Sequence, residues 1–458
     1  MSASDRRTPP GAATEPTGTR LHKGITGTLL FVFILGDVLG AGVYALTGVL
    51  AADAGGLMWA PIVLALGMAL LTAASYAELV TKYPRAGGAA VFAQRAYRRP
   101  MISFLVGFSM LAAGIVSVAG LTVAFSGDYL STFVDVPVAL AAPVFLLLLA
   151  LLNARGIRES VTSNLVMTII EVTGLVVVVV VVAVALGRGD GDLSRVTELP
   201  EGTSLGTAVL AAALIAFYSF VGFETSANVA EEVQDVTRVY PRALFGSLVV
   251  TGVVYVLVAL AAAAMMPPAD LAGSSSPLLD VVQTAGVGVP TWAFSLVALV
   301  AVANGALLTS IMSSRLVYGM AEERLLPRVF ARVLPRRRTP WVAIAATTAL
   351  SAALAMVGTL EMLAETVVLL LLLVFISTNL AVLVLRRDAV AHRHFRAPTV
   401  LPVLGLVSCL VLLAQQTWQV WALGLALLGA GVLLHLLTRG SAAAPRTEPD
   451  GAASGTSR

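Results

Sequence analysis

Charged residues are scarce. Asp, Glu, Lys and Arg make up 12% of the 458 residues, against about 25% in an ordinary soluble chain. Cysteine is nearly absent: Cys409 stands alone inside an apolar run, so no internal disulfide can form, and a thiol in such surroundings is expected to be inert. Metal-ligand clusters are lacking. His392 and His394 flank Arg393 in a basic loop, which reads as a solvated segment beside a membrane rather than a metal site. Strands are not expected, because the period-two alternation of a barrel is missing. No basic patch is interleaved with exposed aromatics, so the formal charge of +3 reports loop bias and no nucleic-acid partner is expected. A cofactor motif and a convergent nucleophile and base are also lacking, so neither a cofactor nor enzymatic activity is expected. No cleavable leader is evident: Met1 to Lys23 is polar, and the apolar run after it is too long for a signal peptide.

What is present is hydrophobicity, 58% of the residues. Apolar runs of about 20 residues recur along the chain, the pattern of an all-α polytopic membrane protein. About twelve spans are expected. Their limits are near 25–50, 57–82, 101–126, 136–153, 161–187, 206–231, 242–267, 286–320, 341–358, 362–386, 399–416 and 419–438. Arg and Lys set the orientation. Lys82, Arg85, Arg95, Arg98 and Arg99 follow span two, and Arg155 and Arg158 follow span four. Arg238 and Arg242 follow span six, Arg324 to Arg338 span eight, and Arg386 to Arg396 span ten. The opposite loops hold Arg188 and Arg195 among Asp and Glu, or neither Lys nor Arg. Both termini are therefore expected in the cytoplasm.

Two spans carry residues that a spanning helix tolerates poorly. Span one contains Gly36-Asp37-Val38-Leu39-Gly40-Ala41-Gly42-Val43-Tyr44, and span six contains Tyr218-Ser219-Phe220-Val221-Gly222-Phe223-Glu224. Glycine weakens a helix, and an intramembrane carboxylate is costly. Spans five apart run in opposite directions, so two interruptions there point to a transporter-type binding site at the midplane. A broken helix exposes N–H groups that suit a carboxylate and carbonyls that suit an ammonium, the two ends of an amino acid. For the glycines alone, close helix packing through Gly36 and Gly40 remains the alternative.

Four carboxylates lie within spans: Asp37, Glu78, Glu171 and Glu224. Glu224, directly after the second interruption, is the first candidate for proton coupling, with Glu171 the second. Asp37 is expected to hold the unwound backbone open. Glu78, near Lys82 and Arg85, is expected in a charged inner gate. Tyr218 is placed to cover a ligand. Thr309, Ser310, Ser313, Ser314 and Asn304 of span eight either line the pocket or bond back to their own helix.

Four stretches resemble the amino acid–polyamine–organocation superfamily of transporters. They are Gly40-Ala41-Gly42-Val43-Tyr44; Tyr76-Ala77-Glu78-Leu79 with Tyr83-Pro84-Arg85-Ala86-Gly87-Gly88; Phe220 to Glu224 with Ala230 to Val233 and Arg238 to Ala243; and Arg315 to Pro327. The resemblance implies a leucine-transporter-like fold: a 5+5 inverted repeat, about 25–187 and 206–386, plus two helices at 399–438. A transporter domain is expected at 23–438 in the plasma membrane, and the composition of the tails, 1–22 and 439–458, is that of disordered segments, expected in the cytoplasm. The resemblance implies a substrate carboxylate at the backbone of Gly40, Ala41 and Gly42. It places the amino group at carbonyls of Val38, Tyr218, Ser219 and Val221, and makes Tyr218 a gate and Glu224 a relay. Ala41 stands where the family signature has serine, and Glu171 where several proton-coupled relatives carry lysine. The expectation is a secondary transporter for an amino acid, leaning to neutral or apolar ones, by proton symport. Exchange of amino acids, amines or polyamines, sodium coupling, and a non-transporting sensor or channel remain alternatives.

Overall fold

Where water is absent, an apolar chain satisfies its backbone hydrogen bonds most simply as helix. The computed structural model describes residues 25–441 except 40, 41, 85, 86, 156–159, 324, 336 and 338. Among these, no strand forms; one parallel bridge joins Ile25 and Val233. The helices are α1 Gly27–Leu39, α2 Gly42–Ala54, α3 Trp59–Lys82, α4 Gly88–Tyr97, α5 Pro100–Phe125 and α6 Asp128–Ser131. Next come α7 Val138–Arg155, α8 Ser160–Gly187, α9 Leu205–Tyr218, α10 Val236–Met265, α11 Pro268–Gly273 and α12 Pro277–Thr284. The last are α13 Thr291–Glu322, α14 Trp341–Val357, α15 Leu360–Leu385, α16 Val400–Ala414 and α17 Trp418–Ser441. A 3-10 segment, Phe223–Glu232, follows α9.

Among the described residues, 10 helical runs are long and apolar enough to cross a membrane. They coincide with the expected spans one to eight, ten and twelve. α14 and α16, with 17 and 15 residues, stand at the other two positions; both are shorter than the usual length of about 20 residues.

Burial separates inner from outer helices. In α15, 72% of the apolar window is buried, and in α17 only 22%. α5 lies against α13 and α15, while α10 lies against α1, α3 and α8. At the centre, the ring of Tyr76 meets those of Phe92, Phe223 and Phe375 edge-on, with centroids 6.3, 5.7 and 6.1 Å away. The rim turns bare leucine outward: Leu147, Leu148, Leu151 and Leu152 on α7, and Leu433, Leu436 and Leu437 on α17. Such faces are unfavourable in water and suit lipid.

Hydrogen bonds outside the helices tie neighbouring elements together. The Ile25 N–H donates to the Glu232 carbonyl and the Gln234 N–H to the Ile25 carbonyl, each at 3.0 Å, tying the start of α1 to the end of the 3-10 segment. Beyond α2, the Trp59 indole donates to the Val196 carbonyl at 3.0 Å, and the Gly56 N–H donates to the Glu198 carbonyl at 2.9 Å.

Candidate functional site

The structure brings the two interrupted stretches into contact. α1 ends at Leu39 and α2 begins at Gly42; Gly40 and Ala41, both expected at a ligand carboxylate, lie outside the described residues. A Cβ on Gly42 would sit 3.1 Å from Ser219 Cα and 3.2 Å from Ser219 Oγ, so one stretch lies directly on the other. α9 stops at Tyr218, and a four-residue turn leads to the 3-10 segment. Gly222 sets that turn. Its φ is 124°, and a Cβ there would lie 2.7 Å from the Asp37 carbonyl oxygen. Only glycine meets both conditions without strain.

Asp37 joins the two stretches as well. Its carboxylate accepts from the Thr225 hydroxyl, whose single proton is shared with the Gly222 carbonyl 2.8 Å away. A side chain of the second stretch thus bonds directly to the carboxylate of the first. Glu224 accepts from the Gly222 N–H at 2.9 Å and is buried. Ser219 Oγ is buried without a hydrogen-bond partner among the described residues. Tyr218 is buried with its hydroxyl facing Ser117 of α5, and its carbonyl accepts from the Val221 N–H at 3.0 Å.

The Val38 carbonyl, expected at a ligand ammonium, shares the single proton of the Tyr255 hydroxyl with the Leu39 carbonyl, each oxygen 2.7 Å away. A carbonyl has two lone pairs, so each keeps room for a second donor. Tyr255 was not singled out in the sequence. Its signal is a lone hydroxyl within the apolar run of α10, which must find an acceptor. Tyr44 does similar work: its hydroxyl donates to the Glu171 carbonyl at 2.9 Å, and its own carbonyl accepts from Tyr129 at 3.1 Å.

Glu171 is fully buried, and neither carboxyl oxygen has a hydrogen-bond partner among the described residues. Asp37 is within electrostatic reach of both Glu171 and Glu224. Asn164, Thr168 and Glu171 are spaced four and three apart, which puts them on one face of α8. Asn304 of α13 donates to Asn164 at 3.2 Å, and Thr168 Oγ1 occupies the place a Cβ on Gly36 would take. Gly36 thus serves packing, the alternative reading of that glycine. Thr309 faces α5, its Cγ2 3.7 Å from a Cβ position on Gly114.

Glu78 belongs to a separate cluster. It forms a two-pronged pair with Arg386 at 2.8 and 3.0 Å and accepts from the Ala397 N–H at 2.9 Å. Lys82 instead donates to the Leu385 and Asp388 carbonyls, each at 2.6 Å, capping the end of α15. The planar guanidinium fork matches a carboxylate better than an ammonium does. The Tyr83 hydroxyl donates to Asp388 at 2.6 Å. Burial, then that bond, pushes the hydroxyl above its ordinary range, so it stays a donor. Arg85 lies outside the described residues.

Apolar, membrane-length helices around a buried polar junction make this a multi-pass membrane protein. The amino acid permease family matches residues 27–437, and the chain belongs to that family. It is 27% identical to the branched-chain amino acid permease of Bacillus subtilis, over 88% of this chain and 90% of that one. An uncharacterized transporter of Mycobacterium tuberculosis is 32% identical, over 88% and 89%. The chloroplastic cationic amino acid transporter 9 of Arabidopsis thaliana is 28% identical, over 71% of this chain and 60% of that one.

Proposed function

We propose that this permease is a secondary active transporter that carries amino acids across the plasma membrane by alternating access. The observation that carries the reading is the contact between Gly42 and Ser219, which sets two weak points of opposed spans against each other. In this reading α1 with α2, and α9 with the 3-10 segment, are two broken spans of a 5+5 inverted repeat, about 25–187 and 206–386. α14 and α16 complete twelve spans, with both termini cytoplasmic.

The ligand carboxylate takes backbone N–H groups of Gly40, Ala41 and Gly42, ahead of and at the start of α2. The ammonium takes carbonyls of Val38, Tyr218, Ser219 and Val221, with Tyr218 as cover. The buried rings of Phe217 and Phe220 beside the junction favour an apolar side chain, and the branched-chain permease among the relatives supports the same choice. Glu224 is the first candidate to carry the coupling proton. Glu171 is the second, because its carboxyl has unused hydrogen-bonding capacity.

Replacing Gly42 with Val tests the site. The added atoms meet Ser219, and a radioligand assay on purified, folded protein should lose branched-chain amino acid binding. Unchanged affinity would remove Gly42 from the site.

A further inference from the structure

The sequence motif Arg238-Val239-Tyr240-Pro241-Arg242-Ala243 is not used by the transport site, yet it forms a surface of its own. Two open grooves flank Arg242 near the start of α10. One, of about 470 Å³, is lined by Thr237, Arg238, Pro241, Arg242, Phe245 and Phe395. The other, of about 430 Å³, is lined by Gly27, Thr28, Phe31, Val239, Arg242 and Ala243. Arg238 and Arg242 are exposed and one helical turn apart, so their guanidinium groups share a face. Among the described residues, neither guanidinium group is ion-paired with a carboxylate. No carboxylate lines either groove among the described residues. Asp235, the nearest in sequence, accepts from the Thr237 hydroxyl at 3.0 Å. Arg393 and Arg396, exposed on the loop that carries Phe395, add positive charge on the same side.

The walls change character away from the arginines. Phe31, Phe245 and Phe395 are half-buried, and the rings of Phe245 and Phe395 stand 5.9 Å apart. Paired cations at a membrane boundary, followed by apolar grooves, suit a molecule with an anionic head and two hydrocarbon tails. Guanidinium groups bind phosphate oxygens through parallel, charge-assisted hydrogen bonds. We propose that one anionic diacyl phospholipid straddles Arg242, with its phosphodiester between Arg238 and Arg242 and an acyl chain in each groove. Thr28 stands at the head end as a further donor. The lipid spans α1, α10 and the loop after α15, so it ties three elements at the arginine-rich end of the bundle.

The test uses the purified full-length protein, stripped of lipid in a neutral detergent. Its thermal unfolding is followed with added phosphatidylglycerol, phosphatidylcholine, or inorganic phosphate. Phosphatidylglycerol should raise the midpoint several degrees more than phosphatidylcholine, and inorganic phosphate should do nothing. The R238Q/R242Q variant should match wild type in phosphatidylcholine and lose the extra gain from phosphatidylglycerol. The Arg188→Gln variant, at the opposite end of the bundle, should keep that gain. An equal gain in wild type and R238Q/R242Q would overturn the site. A gain from inorganic phosphate as large as that from phosphatidylglycerol would replace the lipid by a free anion and overturn the proposal too.

Discussion

Tyr255 shows how much a single side chain can hold at the junction. Its hydroxyl serves the carbonyls of Val38 and Leu39, the last two residues before α1 stops. The net worth of such a hydrogen bond is about 1 kcal/mol, and an acceptor left buried and unpaired costs somewhat more. Tyr255→Phe should therefore lower stability by about 1–2 kcal/mol, read as a lower thermal midpoint. Substrate added during the melt should recover part of the loss if its ammonium takes over those carbonyls. Glu224 makes a different case. Gly222 and Glu224 are joined by a backbone-to-carboxylate bond that a neutral amide oxygen can also accept. Glu224→Gln should thus fold, flatten the pH dependence of uptake, and leave exchange of internal for external substrate intact. A variant whose pH profile matches wild type would move the coupling role to Glu171.

Among the elements, the end of α3 and the loop after α15 depend on each other. Glu78 sits within α3 with Arg386 as its charged partner, 12% and 2% of the arginine and glutamate side chains being exposed. Removing one member of such a pair strands the other and costs about 3 kcal/mol, discounted for water near the arginine. Arg386→Ala should be more destabilising than the double variant Glu78→Gln, Arg386→Ala, and a double-mutant cycle in thermal midpoints reads the difference. Local patterns were legible in the sequence. Glycine and carboxylate inside apolar runs stand out, which is why Gly36 to Tyr44 and Ser219 to Glu224 were visible as weak places. Long-range partners were not. Arg386 lies 308 positions from Glu78, and the Val38 carbonyl 217 from Tyr255. No local pattern links them, so the near neighbours Lys82 and Arg85 looked like the partners of Glu78. The Asp37–Thr225 bond was hidden for the same reason. The faces of α8 that carry Asn164, Thr168 and Glu171 gave only a hint, since polar residues at that spacing also serve simple packing.

For the molecule as a whole, coupling is the property to test. Protein reconstituted in liposomes, given an inward proton gradient and no sodium, should concentrate a branched-chain amino acid. Dissipating the gradient with a protonophore should abolish accumulation; uptake that strictly needs sodium would overturn proton coupling. The bridge between Ile25 and Val233 bears on how the first span is held to the rest of the molecule. Two backbone hydrogen bonds hold the start of α1 to the end of the 3-10 segment. Together they contribute about 2 kcal/mol to holding the two elements side by side. Because main-chain atoms make the clasp, side-chain replacement there leaves it largely intact. The path of the backbone thus fixes this seam, and substitutions at the Gly42–Ser219 junction can change side chains without touching it.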